Sequence, residues 1–281
     1  MFEWTEERVS FMADACERTD FHEKLAALLS PYLQKTDSIC DAGCGLGYLS
    51  LALSPLVGHV TAAERDDRAL DVLRRQLARR HICNVTPLCT DVLAYTPSEP
   101  FDAMVFCFFG SMEEIVAAAR RQCRGTVLAI VRDDTCHRFS GAPREPGRHS
   151  FESACGYLER QGIPYTSRRM ALDFPQPLRT REDARRFMAL YGRGDAAEAL
   201  PTSLASTGDP EFPWQLPGVR RFGMIIPSID KGKHGFDAQK CAHTASSPLT
   251  IRQVFSAGLF LSGHISAPTK LLRTCQRWIF V

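Results

Sequence analysis

Short apolar runs alternate with amphipathic helical patterns along most of the chain. Two helical patterns lead, over residues 5–16 and 20–33. In the second, Phe21, Leu25, Leu28 and Leu29 share one face, Asp20 stands where an N-cap belongs and Pro31 falls near the end. Ile39 and Cys40 then predict the end of a buried strand, and Tyr48-Leu49-Ser50-Leu51-Ala52-Leu53 opens a helix. Further strands are predicted at 58–63, 84–90, 101–107 and 125–131, with helices at 66–80 and 112–122 between them. Leu70, Leu73 and Leu77 form the buried stripe of the 66–80 helix. Its acids come first (Asp66, Asp67) and its bases last (Arg74, Arg75, Arg79, Arg80), which complements the helix dipole. That placement reads as a solvated helix end rather than a nucleic-acid patch. Repeated strand-then-helix units argue for a parallel sheet with helices on both faces.

Beyond residue 131 the pattern loosens. Residues 139–150, rich in Gly, Pro and Arg, read as a mobile loop or lid. A helix at 151–161 and a sixth strand at 164–174 follow, and Thr180-Arg181-Glu182-Asp183 caps a helix reaching Tyr191. Residues 192–218, with Pro201, Pro210, Pro213 and Pro217, read as loop, and 219–226 as the last strand.

Candidate chemistry gathers at the ends of the early strands. Gly43, Gly45 and Gly47 alternate directly after the first strand, two residues beyond Asp41. Glycine allows positive φ and close approach of a ligand to the backbone, and the following helix N-terminus offers free N–H groups. The spacing is Gly-x-Gly-x-Gly, not the Gly-x-Gly-x-x-Gly that cradles a pyrophosphate. A fixed carboxylate beside the loop suits a ligand with positive charge or donor groups. Glu64 ends the second strand about twenty residues on, where a carboxylate can accept both hydroxyls of a ribose. Asp91 ends the third.

A strand, an acid and three alternating glycines resemble the first motif of class I S-adenosylmethionine-dependent methyltransferases, acid-x-Gly-x-Gly-x-Gly. The resemblance covers residues 20–227. It implies an α/β, Rossmann-like seven-stranded, mostly parallel sheet with helices on both faces, followed by a C-terminal tail. It implies S-adenosyl-L-methionine as cofactor, bound by Asp41, Ala42, Gly43, Gly45, Gly47, Glu64, Arg65, Asp91, Val92 and Cys107. In that family the acid at Asp91 accepts from the adenine amino group, and the next backbone N–H meets a ring nitrogen. Leading helices often close over the cofactor, so Trp4, Phe11, Met12 and His22 are candidates to line the site, the alternative for each being that it simply packs on the sheet. Acceptors are usually met at the fourth strand's end, here Cys107-Phe108-Phe109-Gly110. The Asn/Asp-Pro-Pro-Tyr motif of base-amino methylation and the Pro-Cys of cytosine methylation are both missing there. Phe108 and Phe109 read equally as an apolar wall for a small acceptor or as core. His137 is a candidate general base with a pKa near working pH, and no catalytic residue is assigned.

The expected function is methyl transfer to a small-molecule acceptor. A ribosomal-RNA adenine dimethylase-like enzyme is the alternative: Glu64-Arg65-Asp66 and Tyr48-Leu49-Ser50 resemble that family, while its Asn-Leu-Pro-Tyr-type motif is missing. A non-catalytic S-adenosylmethionine-binding protein is a third reading.

Composition narrows the setting. A chain of 281 residues, 44% apolar, can bury one large core or a core plus a small appendage. No apolar run reaches the length of a membrane span, and the acidic start Met1-Phe2-Glu3-Trp4-Thr5-Glu6-Glu7-Arg8 lacks a signal-peptide profile. Eleven scattered cysteines with no Cys-x-x-Cys pair read as reduced thiols in a cytoplasmic protein that uses no metal. Residues 228–281 hold seven Lys or Arg against two Asp, a balance of +5. Of the chain's 34 bases and 32 acids, 27 and 30 therefore fall in residues 1–227, a balance of −3. The reading divides the chain into N-terminal helices closing the cofactor site (1–36), a methyltransferase domain (37–227) and a basic tail (228–281).

Overall fold

A computed structural model describes residues 3–136, 138–139, 147–192 and 203–229. The chain divides into two units, 1–232 and 233–281, and the second lies outside the described residues.

Ten strands follow in chain order: β1 (Ser38–Ala42), β2 (His59–Glu64), β3 (Val85–Cys89), β4 (Phe101–Cys107), β5 (Cys123–Arg132), β6 (Tyr165–Asp173), β7 (Gln176–Leu178), β8 (Ala205–Ser206), β9 (Trp214–Leu216) and β10 (Val219–Pro227). The helices are α1 (Glu6–Glu17), α2 (Phe21–Leu29), α3 (Tyr48–Leu53), α4 (Asp67–Arg80), α5 (Met112–Gln122), α6 (Phe151–Arg160) and α7 (Arg181–Tyr191).

Seven strands form the main sheet in the order β3-β2-β1-β4-β5-β10-β6. β1 to β5 pair in parallel, while β10 runs antiparallel between β5 and β6. Parallel neighbours need crossovers, and helices supply them. This is a Rossmann-like arrangement. Successive residues of a strand point to opposite faces, and the two cores sort accordingly. Ile39 packs in one core with α2, α3 and α4, whereas Cys40 and Ala42 pack in the other with α5 and α6. Strand order reverses between β1 and its two neighbours β2 and β4, so the crevice for a ligand opens at their carboxyl ends.

Local sequence sets the helix ends. Ser111 and Glu114 make a reciprocal capping box on α5, and Thr180 and Asp183 make one on α7. Asp20 occupies the N-cap position of α2, but its side chain pairs with Lys24 instead of capping. α2 ends at Leu29 and passes into a 3₁₀ turn, Ser30–Tyr32, four residues short of the sequence expectation, because Pro31 has no N–H to continue the ladder.

The stretch expected as loop holds structure. β8 and β9 fall within it and join β7 in a three-stranded sheet of order β7-β9-β8. Strands of two and three residues, the longer flanked by Pro213 and Pro217, carry too little alternation to show in sequence. The small sheet, α1 and α7 enclose a third core of Phe11, Leu178, Ala184, Phe187, Met188 and Leu216. Among the described residues no helix is long and apolar enough to cross a membrane.

Candidate functional site

The loops after β1, β2, β3 and β4 meet in one cleft of about 650 Å³. A shallower hollow of about 740 Å³ lies elsewhere, between Arg18, Glu23, Lys24 and Asp173, and holds none of the residues singled out for the cofactor.

The glycine loop builds the cleft floor. Gly43 N–H and Cys44 N–H both donate to the Ala63 carbonyl, at 2.8 and 3.0 Å, so the loop is tied to β2. Gly43 has φ +70°, and a Cβ there would overlap the Phe109 ring. Gly47 has φ +78°, and a Cβ there would lie 2.6 Å from Leu73. Glycine is required at both points by backbone angle and by neighbour alike. Glu64 closes the other side. Its Oε2 accepts from Gly45 N–H at 3.1 Å, and its Oε1 accepts from Arg65 N–H and Asp66 N–H at 2.9 and 3.1 Å.

Asp41 is 1% exposed, yet one of its carboxylate oxygens has no partner. The other accepts from Ser50 Oγ at 2.6 Å. Burial pushes its pKa up to about 6, the Ser50 hydrogen bond opposing and the charge of Glu64 adding to the rise. A buried carboxylate oxygen without a donor is costly, and Asp41 is among the residues that line the cleft. It suits a ligand that brings a cation or a donor. Asp91 is exposed at the cleft rim. Its Oδ1 accepts from Leu93 N–H at 3.0 Å, and its carbonyl accepts from Ala94 N–H and Tyr95 N–H.

Of the ten residues singled out for the cofactor, Asp41, Gly43, Gly45, Gly47, Glu64, Arg65, Asp91, Val92 and Cys107 line this cleft. Ala42 does not: it is fully buried and packs in the core beneath the loop, as strand alternation from Asp41 requires. The Cys107 thiol is pushed by burial up to about 12 and stays protonated. Among the described residues no group of three His, Cys, Asp or Glu is placed to hold a metal ion.

From the leading helices Trp4, Met12 and His22 reach the cleft. Phe11 does not. It sits in the third core, edge-on to Phe187 at 5.3 Å between centroids. Tyr48 Oη and Gln76 Nε2 both donate to Glu17 Oε1, at 2.8 and 2.6 Å, which fixes α1 to α3 and α4 over the site. His22 is ringed by Phe21, Tyr48 and Phe174, and its Nδ1 has no partner. Burial, then the charge of Arg220, lowers its pKa to about 3, so the imidazole is neutral. Phe108 and Phe109 line the cleft as a wall, Phe108 with φ +55°. His137 lies outside the described residues.

Sequence reasoning missed Phe174 and Arg220 as cleft residues. For Arg220 a signal existed: it alternates with Phe222 and Met224, both core residues of β10. A base in phase with a buried face is a flag. The arginines of α4, by contrast, are largely engaged: Arg74 with Asp67 and Asp71, Arg79 with Glu17, and Arg79 and Arg80 with Gln76.

Residues 39–132, from β1 through β5, match the family model of a methyltransferase domain. No curated protein matches the chain. Three solved structures to which it is similar are the YcgJ protein from Bacillus subtilis, a precorrin-6y C5,15-methyltransferase from Geobacter metallireducens and an S-adenosylmethionine-dependent O-methyltransferase from Thermotoga maritima. YcgJ has 13% identity and TM-score 0.47, over 74% of this chain and 98% of that one. The Geobacter enzyme has 16% identity and TM-score 0.45, over 74% and 88%. The Thermotoga enzyme has 12% identity and TM-score 0.46, over 78% and 70%.

Proposed function

We propose, from the match of residues 39–132 to a methyltransferase domain, that the chain uses S-adenosylmethionine to methylate a small-molecule acceptor. One observation carries the reading. Asp41, Glu64 and Asp91, at the carboxyl ends of three adjacent strands, line one cleft around a glycine loop with no pyrophosphate cradle. The partnerless oxygen of Asp41 fits the cofactor's cationic end. Glu64 takes the ribose hydroxyls, and Asp91 with the N–H of Val92 takes the adenine edge.

When bound, S-adenosylmethionine supplies an electrophilic methyl group on a sulfonium. The chain's part is to hold the acceptor in line with it, and positioning supplies much of the rate. Trp4, Met12 and the Phe108–Phe109 wall exclude water around the transfer. His22 is too weak a base to carry a proton away at neutral pH, which favours acceptors that already present a lone pair.

Calorimetric titration tests the reading. The protein is expected to bind S-adenosylmethionine and S-adenosylhomocysteine and not NAD. NAD binding more tightly than S-adenosylhomocysteine would overturn it.

A further inference from the structure

Most of the charges that line the cleft are sorted by side; Arg65 beside Glu64 and Glu114 near Arg148 are the exceptions. Asp41, Glu64 and Asp91 stand at the ends of β1, β2 and β3. Opposite them, Arg132 ends β5, Arg220 lies near the start of β10, and Arg148 comes from the segment before α6. β10 runs antiparallel to β5 with Phe222 opposite Arg132, so Arg132 and Arg220 reach the same end of the sheet.

Arg220 is the centre of this basic side. Its guanidinium carbon lies 4.0 Å from the Phe108 ring centroid and 5.9 Å from that of Phe174. Those contacts hold it in place but offer no counter-charge. Among the described residues no carboxylate pairs with Arg220, Arg132 or Arg148. The acids nearby are engaged elsewhere: Asp133 with Arg169 at 3.2 Å, Asp134 with Arg221 N–H at 3.3 Å, and Glu114 in the α5 capping box. Burial pulls the Arg220 pKa down; Cys107 and the charge of Asp134 oppose the fall without pairing with it, and the charge of Arg132 adds to it. An arginine held among aromatic rings without a carboxylate is a costly arrangement. It becomes favourable once an oxyanion arrives, because the guanidinium fork takes carboxylate or phosphate oxygens in charge-assisted pairs.

We propose that the acceptor half of the cleft binds a small oxyanion with an apolar body, its carboxylate or phosphate held by Arg220 and its body against Phe109 and Phe174. The inference deepens the methyltransferase reading by naming the class of acceptor, and it rests on that reading for what is done to the molecule. The cofactor's one carboxylate is insufficient to occupy this side, since three arginines line it. Methyl transfer to such an acceptor balances without a further reactant: an acceptor lone pair forms the new bond to the methyl carbon, the carbon–sulfur bond breaks, and its electron pair stays on sulfur as S-adenosylhomocysteine.

The test uses the full chain saturated with S-adenosylhomocysteine. Calorimetry compares 2-naphthoate and 2-naphthyl phosphate with the neutral 2-naphthamide and the cationic 2-naphthylmethylamine. The wild type is expected to prefer at least one oxyanion over the amide by about tenfold or more. In Arg220→Gln that preference should fall below about threefold, while S-adenosylhomocysteine affinity stays within about twofold, which also shows that the variant folds. Equal binding of oxyanion and amide by the wild type overturns the proposal without any variant, as does absence of oxyanion binding. A loss of about tenfold or more in S-adenosylhomocysteine affinity in Arg220→Gln overturns it differently, by giving Arg220 to the cofactor's carboxylate. Wild-type protein that binds naphthoate through Arg220 but not S-adenosylhomocysteine would sink the methyltransferase reading and leave the oxyanion site standing.

Discussion

Glu64→Ala removes three hydrogen-bond acceptances at once, and the structure indicates how the losses divide. A bond to a charged group contributes about 1.5–3 kcal/mol when well made. The N–H groups of Arg65 and Asp66 lie at the rim, where Arg65 is exposed, so water replaces most of what they lose. Gly45 N–H, inside the cleft at 3.1 Å, has less recourse. The expected cost to the ligand-free protein is about 1–2 kcal/mol, a fall in melting temperature of several degrees for a domain of this size. Cofactor binding should suffer more. If Glu64 accepts both ribose hydroxyls, losing two charge-assisted bonds that are not additive weakens binding by about 2–4 kcal/mol, roughly 30- to 1,000-fold.

Calorimetry with S-adenosylhomocysteine, run beside thermal melts, reads both numbers. Glu64→Gln sharpens the comparison: it keeps an acceptor oxygen but loses the charge, so it should fall between wild type and Glu64→Ala on both measures. A folded Glu64→Ala protein with unchanged affinity would refute the reasoning, leaving Glu64 only as the clamp on the glycine loop.

Other consequences are as direct. The folded protein keeps the Asp41 proton up to about pH 6, whereas the unfolded chain loses it near about pH 4, so this residue's contribution to stability falls as pH rises through that window. Asp41→Asn should therefore melt higher than wild type at pH 7–8, by up to about 3 kcal/mol at about 1.4 kcal/mol per unit, with the gap closing near pH 4; parallel melting curves across pH would contradict this. Wild-type affinity for S-adenosylhomocysteine should rise between about pH 5 and 7 as Asp41 ionises, and calorimetry on the Asn variant should show a flat profile. Gly43→Ala meets both a positive φ and the Phe109 ring, and should lower S-adenosylhomocysteine affinity by about tenfold or more; adding Phe109→Ala should restore only part of it. A chain ending just after Ile229, which still packs on the second core, is expected to fold and bind S-adenosylhomocysteine like the full chain, since β10 already ends at Pro227. An insoluble product, or one without a ligand-induced melting shift, would assign 230–281 to the domain.

Much of the site was legible because its signals are local. An acid, alternating glycines and a helix start fix the β1 loop within ten residues, and each of Glu64 and Asp91 sits at the end of its own apolar run. Elements of five or more residues showed their period. The small sheet did not, because β9 derives its order from packing in the third core with α1 and α7, and the exposed β8 from pairing with β9, rather than from their own pattern. Phe11, a candidate to line the site or to pack, takes the second role for a related reason. It shares the apolar stripe of α1 with residues that do reach the cleft, and only the third core, built from chain 165 residues or more away, draws it aside. Which stripe residue meets a ligand depends on what packs against the helix.

Asp41 and Arg220 point to a common principle. Strand alternation places both on the same face of the sheet, among the residues of the first core, and both line one cleft. Burial shifts each toward neutrality, the acid up and the base down, and they do not pair with one another. A fold selected for stability alone would join two such charges or replace them with apolar residues of similar volume, since Asp41 is buried and Arg220 half-buried, neither with a partner of opposite charge. Leaving them apart keeps two unmet electrostatic demands of opposite sign in a single cavity. In the proposed function a cationic cofactor would meet the first, and the proposed anionic acceptor would meet the second. Each ligand then stabilises the fold at a separate point, so the melting shifts from S-adenosylhomocysteine and 2-naphthoate should approximately add, and Asp41→Asn should diminish the first shift while leaving the second in place.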